Sequence, residues 1–370
     1  MTTAATARPP LPVEDATTLG YRVDWMNSTL GRTLRLPSVQ GDSVFAIDEE
    51  DDLVRIEVDT GTRRWSAPVG NKIFKVLGVN YLPETSQVLI TSDGAVYALE
   101  AATGNMVVEN EAKDSPRAAN KPIQNLPWTA GTPSATLRPY LVYGSRSGEL
   151  VWHAYDIGFS LRTYRIADAI RVEPLAYGDM VVGVGARGEV AVVDGSTVTQ
   201  LWSTTLLDAV VAPPVIGDNG ADDGPSLFIA GTDQYLRSVG LQDGVLRWKT
   251  LTSSPLTSSP TLIGKALYQQ IPGEGLACFD AFATTVTGDR RWTSSEVNGN
   301  VLTATTGGRL IVWDEDHQRI QILETRKGHV VATVDLPDIS SVFTNSLNNG
   351  DLYLLTVDDA ILRLVPRTGQ

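Results

Sequence analysis

The chain of 370 residues is 42% hydrophobic and 20% charged, enough apolar material for a packed core. Its formal net charge of −13 repels phosphate backbones, and no Lys/Arg cluster offsets it, which sets nucleic acid aside as a partner. No apolar stretch reaches the ~18–20 residues that a membrane-spanning helix needs, and the single cysteine, Cys278, allows neither an internal disulfide nor a thiolate metal cluster.

Residues 1–17 are polar, proline-bearing and aperiodic, and are expected to form a flexible N-terminal tail. "MTTAATARPPLPVED" has no apolar core and no lipobox-like cysteine. The expected compartment is therefore the cytoplasm, or the periplasm or cell envelope if a leader has been removed. After the tail comes an isolated strand-like run, "LGYRVDWMN", Leu19–Asn27.

From there the chain repeats. A turn glycine or its equivalent recurs four residues before a tryptophan or its stand-in: Gly61 (Trp65), Gly104 (Val108), Gly158 (Arg162), Val198 (Trp202), Gly244 (Trp248), Gly288 (Trp292), Gly328 (Ala332) and finally Gly369. The steps run from 40 to 54 residues, giving eight units. Each unit holds an apolar run such as "SQVLITS", a turn, a run such as "AVYALEA" read as alternating, a Thr-Gly-like turn and a last run. Period-2 runs bounded by Gly and Asp turns read as antiparallel strands, and a unit of this length is one propeller blade. The predicted fold is all-β: a single eight-bladed β-propeller of four-stranded blades over 18–370, monomeric, with no second domain.

The long step between the second and third units holds an insertion over about 110–139 with five prolines and Trp128. A tryptophan flanked by proline in a polar loop reads either as a contact for a protein partner or as structural packing. In the fourth unit "GVGARG", Gly183–Gly188, matches a dinucleotide fingerprint by letter. "EVAVVDG" follows as another strand, where the fingerprint requires a helix, so the motif is a strand-to-strand turn. In the fifth, "GDNGADDGP" places Asp218, Asp222 and Asp223 in a glycine-bearing loop. Such spacing suits Ca²⁺, but no bidentate Glu follows, and a solvated acidic turn is the alternative.

Cys278 in "GLACFDAF" reads as a small buried hydrophobe. His153, His317 and His329 fall in different units and at no ligand spacing. The eighth unit, "DLYLLTV", "AILRLVP" and "RTGQ", lacks a fourth strand, and "YRVDW" at the N-terminus has the form to supply it. That strand closes the propeller, hides an open sheet edge, and makes Trp25 the fifth tryptophan in phase with Trp65, Trp202, Trp248 and Trp292.

"IEVDTGTRRW", "YALEAATGNMVVE" and "GLQDGVLRW" resemble the PQQ-like repeat, Ala-x-Asp-x-x-Thr-Gly-x-x-x-Trp, across essentially the whole chain. That resemblance implies eight blades, with Gly61, Gly104, Gly244 and Gly288 at turns and the phased tryptophans packing blade on blade. The family includes quinoprotein dehydrogenases and the BamB-type branch that scaffolds outer-membrane protein assembly. The dehydrogenase branch carries adjacent cysteines against its quinone, and one cysteine cannot supply the pair. The expectation is a non-enzymatic protein-interaction scaffold with protein partners and no cofactor. A PQQ/Ca²⁺ dehydrogenase is the first alternative and a carbohydrate or small-ligand binder the second. Repeats of this kind specify fold far better than function.

Overall fold

The computed structural model describes residues 11–28, 34–69, 73–108, 121–220 and 224–367. They build eight four-stranded antiparallel sheets, the blades of an eight-bladed β-propeller. In seven blades the strands follow sequence order, from Arg35–Gln40, Ser43–Ile47, Asp52–Glu57 and Arg63–Pro68 in the first to Val330–Asp335 as the last strand of the seventh. The eighth takes three strands from the C-terminal region, Ile339–Thr344, Leu352–Thr356 and Ile361–Pro366. Its fourth is Tyr21–Asn27. Pairing is antiparallel, from Tyr21 opposite Pro366 to Asn27 opposite Ile361, so the N-terminal strand closes the fold as its sequence implies.

Two compact units are distinguished. One takes the described parts of Met1–Glu49, Ile56–Arg63 and Ser294–Gln370 and contains the seventh and eighth blades. The other takes Glu50–Arg55 and Arg64–Thr293 and contains the second to sixth blades.

The second and third strands of a blade are apolar on both faces. Ser43–Ile47 and Leu352–Thr356 are buried at every residue, and so is Ala95–Leu99, where alternation was expected. A middle strand covered on both faces has no solvent side to fill with polar residues, so its sequence is a continuous apolar run. Fourth strands behave in the opposite way: Thr199–Thr205 buries Trp202 alone, and Leu246–Leu251 buries Trp248 alone.

A β-bulge sits one residue before each of these positions. Asp24, Leu161, Leu201, Arg247 and Val331 have no partner in register, immediately before Trp25, Arg162, Trp202, Trp248 and Ala332. An extra residue bends the strand and re-aims the next side chain. The shared bulge shows that Trp25, Arg162 and Ala332 are structural equivalents of the phased tryptophans.

Three expectations change. From Leu11 on, the expected tail is ordered: helix α1 (Val13–Thr18) buries Ala16, and Leu11 and Leu19 flank it in the core of the seventh and eighth blades. Residues 1–10 lie outside the described part. The segment 110–139 is not one insertion between blades. Ile123–Asn125 is the fourth strand of the second blade and Ala130–Leu137 the first of the third, while 109–120 lie outside the described residues. Val108 is accordingly not the tryptophan stand-in of the second blade: it is 68% exposed, and the strand that carries the position comes later.

Candidate functional site

A contact that recurs through the fold runs from a fourth strand to the next blade. Trp65 Nε1 donates to the Ala101 carbonyl at 2.7 Å, Trp202 Nε1 to Leu241 at 2.7 Å and Trp248 Nε1 to Ala281 at 2.9 Å. Trp25 Nε1 does the same to Val58 at 2.7 Å. Each ring lies on the turn glycine of that next blade. A β-carbon on Gly61 would stand 2.5 Å from the Trp25 ring, and one on Gly104 2.7 Å from the Trp65 ring. Both glycines also have φ near +70° (67° and 74°), a conformation that costs other residues energy. Trp292, half-buried, packs on Tyr268 with ring centroids 5.9 Å apart.

In two blades without the tryptophan, other donors reach a carbonyl of the next blade. Gln124 Nε2 donates to the Tyr155 carbonyl at 2.9 Å, and Arg162 donates to the Ser196 carbonyl. Gln124 is itself held by His153, fully buried, whose Nε2 is 2.7 Å from Gln124 Oε1 and whose Nδ1 is 3.2 Å from Ser160 Oγ. Nε2 must carry the proton, because the amide oxygen can only accept. Burial pushes the His153 pKa down to about 4, so the ring is neutral.

The closing strand has further ties. Arg363, opposite Trp25, donates to the Val58 carbonyl at 2.8 Å and pairs with Asp351 at 2.7 Å and Asp24 at 3.3 Å. Tyr21 Oη donates to the Gly350 carbonyl at 2.9 Å, and the Arg367 backbone N–H to Gly20 at 3.0 Å. Of the Arg-Thr-Gly-Gln turn, only Arg367 is described.

A second set of contacts links the loops that join one blade to the next. In the second to sixth blades each such loop is stitched to a neighbouring hairpin turn: Ala130 N to Asp93 O, Ile170 N to Ser145 O, Ala186 N to Ala169 O, Thr232 N to Ala209 O and Leu256 N to Gly231 O, all between 2.8 and 3.2 Å. Ion pairs Arg146–Asp93 at 3.1 Å and Arg187–Asp168 at 2.8 Å lie along these loops. "IADAI" (Ile166–Ile170) and "LLDAV" (Leu206–Val210) are equivalent here. Asp168 and Asp208 each accept the backbone N–H of the following alanine, at 2.7 and 2.8 Å, while Ile170 and Val210 are buried. Sequence reasoning passed over these loops, although this five-residue echo was visible in it. The result is apolar groups held in solvent on a fixed backbone: Leu207 is 84% exposed and Val211 53%.

The predicted site residues do not converge. Trp128 is half-buried and packs with Leu77 and Leu126 against Ala130, Tyr143 and Val151, while its carbonyl accepts from Tyr143 Oη at 3.1 Å. Asp218 accepts from the Gly220 N–H at 2.7 Å and from Tyr177 Oη at 3.3 Å. Asp222 and Asp223 lie outside the described residues. His317 and His329 share the seventh blade, flanking the two ends of Arg319–Glu324, rather than falling in different units; His317 Nδ1 is 2.9 Å from Asp314 Oδ2. Cys278 is buried, which pushes its thiol up to about 12. The glycines of "GVGARG" lie at the end of one strand and in its turn to the next, as predicted. Among the described residues no three His, Cys, Asp or Glu side chains gather into a possible metal site.

Blade-to-blade indole contacts and stitched connecting loops define a propeller of the PQQ-like repeat class. The model of the family described as outer membrane protein assembly factor BamB matches residues 19–134 and 141–281, and the chain belongs to that family. No curated protein matches the sequence. Among solved structures, BamB from Moraxella catarrhalis superposes with a TM-score of 0.70 at 17% identity, covering 95% of this chain and 99% of that one. The computationally designed Ika8 protein gives 0.67 at 11% identity, over 90% and 96%. The quinohemoprotein alcohol dehydrogenase from Comamonas testosteroni gives 0.65 at 12%, over 96% and 79%. Identities this low speak to the shared fold alone.

Proposed function

We propose that this protein is a non-enzymatic scaffold of the cell envelope that docks a protein partner of outer-membrane protein assembly on the connecting loops of its second to sixth blades. The observation that carries the reading is the loop Leu206–Val210 and its neighbour Val211. Leu207 and Val211 project into solvent, while Ala209 between them is held through its carbonyl by both Thr232 N (2.9 Å) and Thr232 Oγ1 (3.0 Å). Exposed apolar groups on a pinned backbone lose little conformational entropy when covered, which is what a docking surface needs. Adjacent ion pairs supply a polar rim.

The test is co-purification from native envelopes with the Leu207→Asp/Val211→Asp variant. Loss of the wild-type partner at an unchanged melting temperature supports the surface, and equal recovery refutes it. The dehydrogenase reading shares the fold and draws no support from a particular residue of this chain. A thermal shift with PQQ and Ca²⁺, or dye-linked alcohol oxidation, would replace the scaffold reading with that one.

A further inference from the structure

The junction between the seventh and eighth blades differs from those around it. Its phased position is Ala332, opposite Ile322 and preceded by the Val331 bulge, so a methyl group stands where other fourth strands carry an indole, an amide or a guanidinium. The acceptor lies three residues beyond the partner of the next blade's phased residue at two junctions, and four beyond at a third, where Ser196 follows Val192, the partner of Trp202. Leu241, which accepts from Trp202, lies three residues beyond Ser238, the partner of Trp248. Tyr155 lies three beyond Trp152, the partner of Arg162. The same count from Arg363, the partner of Trp25, reaches the carbonyl of Pro366. Because Arg367 N bonds Gly20 O across it, the pair Tyr21–Pro366 is a non-hydrogen-bonded one, and Tyr21 does not claim that carbonyl.

Part of the space freed by Ala332 is taken by Leu11, Ala16 and Leu19 around α1. The rest is a cleft of about 350 Å³ open to solvent, with Leu19, Ile322, Ala332 and Pro366 in its wall and Arg309 and Arg367 beside them. That volume is at the small end of ligand sites, roughly 300–1,000 Å³, and suits a single ring. Arg367 is fixed by its own bonds to Tyr21 O (3.1 Å) and Thr17 Oγ1 (2.8 Å). Arg309 is exposed, and its guanidinium makes no bond to another described residue. Two arginines border this cleft in a chain whose net charge is −13, and Glu324 stands opposite Arg309 in register.

We propose that this cleft is a docking site for an aromatic side chain within an acidic segment of a protein partner. The ring takes the place that an indole of the chain itself takes at other junctions. An indole N–H donates to the Pro366 carbonyl, and a flanking carboxylate pairs with Arg309. The proposal does not depend on the connecting-loop surface described above.

The probe is the peptide acetyl-Glu-(5-fluorotryptophan)-Glu-amide, followed by ¹⁹F NMR with the full chain. Wild type is expected to give a saturable shift at millimolar peptide or below. Ala332→Trp, which fills the wedge from within, is expected to abolish it while melting no lower than wild type. Arg309→Glu, on the surface, is expected to weaken it about fivefold or more. The Lys-(5-fluorotryptophan)-Lys peptide is expected to bind more weakly. No saturable shift with wild type, undiminished binding to folded Ala332→Trp, or undiminished binding to Arg309→Glu overturns the site. Should Ala332→Trp fail to fold, Arg309→Glu and the lysine peptide still decide it. Equal binding of the two peptides overturns the acidic partner.

Discussion

Trp65 and Ala101 lie 36 residues apart and meet through an indole hydrogen bond of 2.7 Å, with Gly104 under the ring. The tryptophan of one repeat is thus read by the glycine turn of the next. The Thr-Gly-x-x-x-Trp phrase couples two different contacts: its glycine receives one blade's ring, and its tryptophan is delivered to the following blade. A second donor strengthens two of these sites, since Arg55 also donates to Ala101 and Arg363 to Val58.

Gly104→Ala is expected to destabilise strongly, because φ is +74° and the new β-carbon would stand 2.7 Å from the Trp65 ring. The conformational part alone costs about 1–3 kcal/mol. Trp65→Phe removes the donor and part of the ring and is expected to cost ~1–3 kcal/mol. Thermal melts should rank Gly104→Ala as the more damaging change, with Gly178→Ala as a reference for the φ effect alone, since nothing lies within 4 Å of a β-carbon there.

Closure rests on Trp25 and Arg363. Arg363 bonds Asp351, Asp24 and the Val58 carbonyl with a side chain only 13% exposed. Removing one member of such a network leaves its carboxylates underpaired, and Arg363→Ala is expected to cost about 2–4 kcal/mol. Trp25→Ala should cost a similar amount. A melting temperature unmoved by both changes would defeat the closing role of Tyr21–Asn27.

His153 gives a pH signature. Its pKa is about 4 in the folded chain against an ordinary 6.5, so the unfolded chain binds the extra proton as pH falls. Its contribution is complete above pH ~6.5 and is lost progressively down to pH ~4, about 3 kcal/mol in all. The difference between wild type and His153→Gln in urea midpoints should therefore change over that window and be flat above it. A difference that stays constant from pH 7 to 4.5 contradicts the buried neutral ring.

Calcium is expected to leave the protein unchanged. Asp218 already accepts from Gly220 N and Tyr177 Oη. Titration with Ca²⁺, or addition of EDTA, should not move the melting temperature of wild type or Asp218→Asn. A rise with Ca²⁺ in wild type that Asp218→Asn abolishes would assign a metal to that loop.

Much of this architecture is legible because a blade is a local object. Runs such as "SVFAI" and "LYLLT" announce strands, though not that both of their faces are covered, and the Thr-Gly turns mark where each sheet folds back. The eighth unit's missing strand and the N-terminal "YRVDW" could be matched by form alone. Degenerate units were harder. Gln124 could not be found by spacing, because residues 101–122 separate it from the strand it pairs with. The order in Leu11–Leu19 was equally hidden, since a short helix buries its few apolar residues against strands far along the chain, from Leu302 to Leu364. The connecting loops carry no periodicity, so Leu207 and Val211 look ordinary until the bonds around Ala209 are seen.

By itself, then, the sequence determined the repeat, the number of blades, the phase of the tryptophans and the strand that closes the fold. Each depends on a pattern within some fifty residues or on two unmatched halves. Tertiary structure decided which carbonyl each indole meets, that Gln124 and not Val108 replaces it in the second blade, and which loop residues stand in solvent. Those are properties of contacts between different repeats, where packing at one junction is free to change without altering the strand pattern that sequence displays.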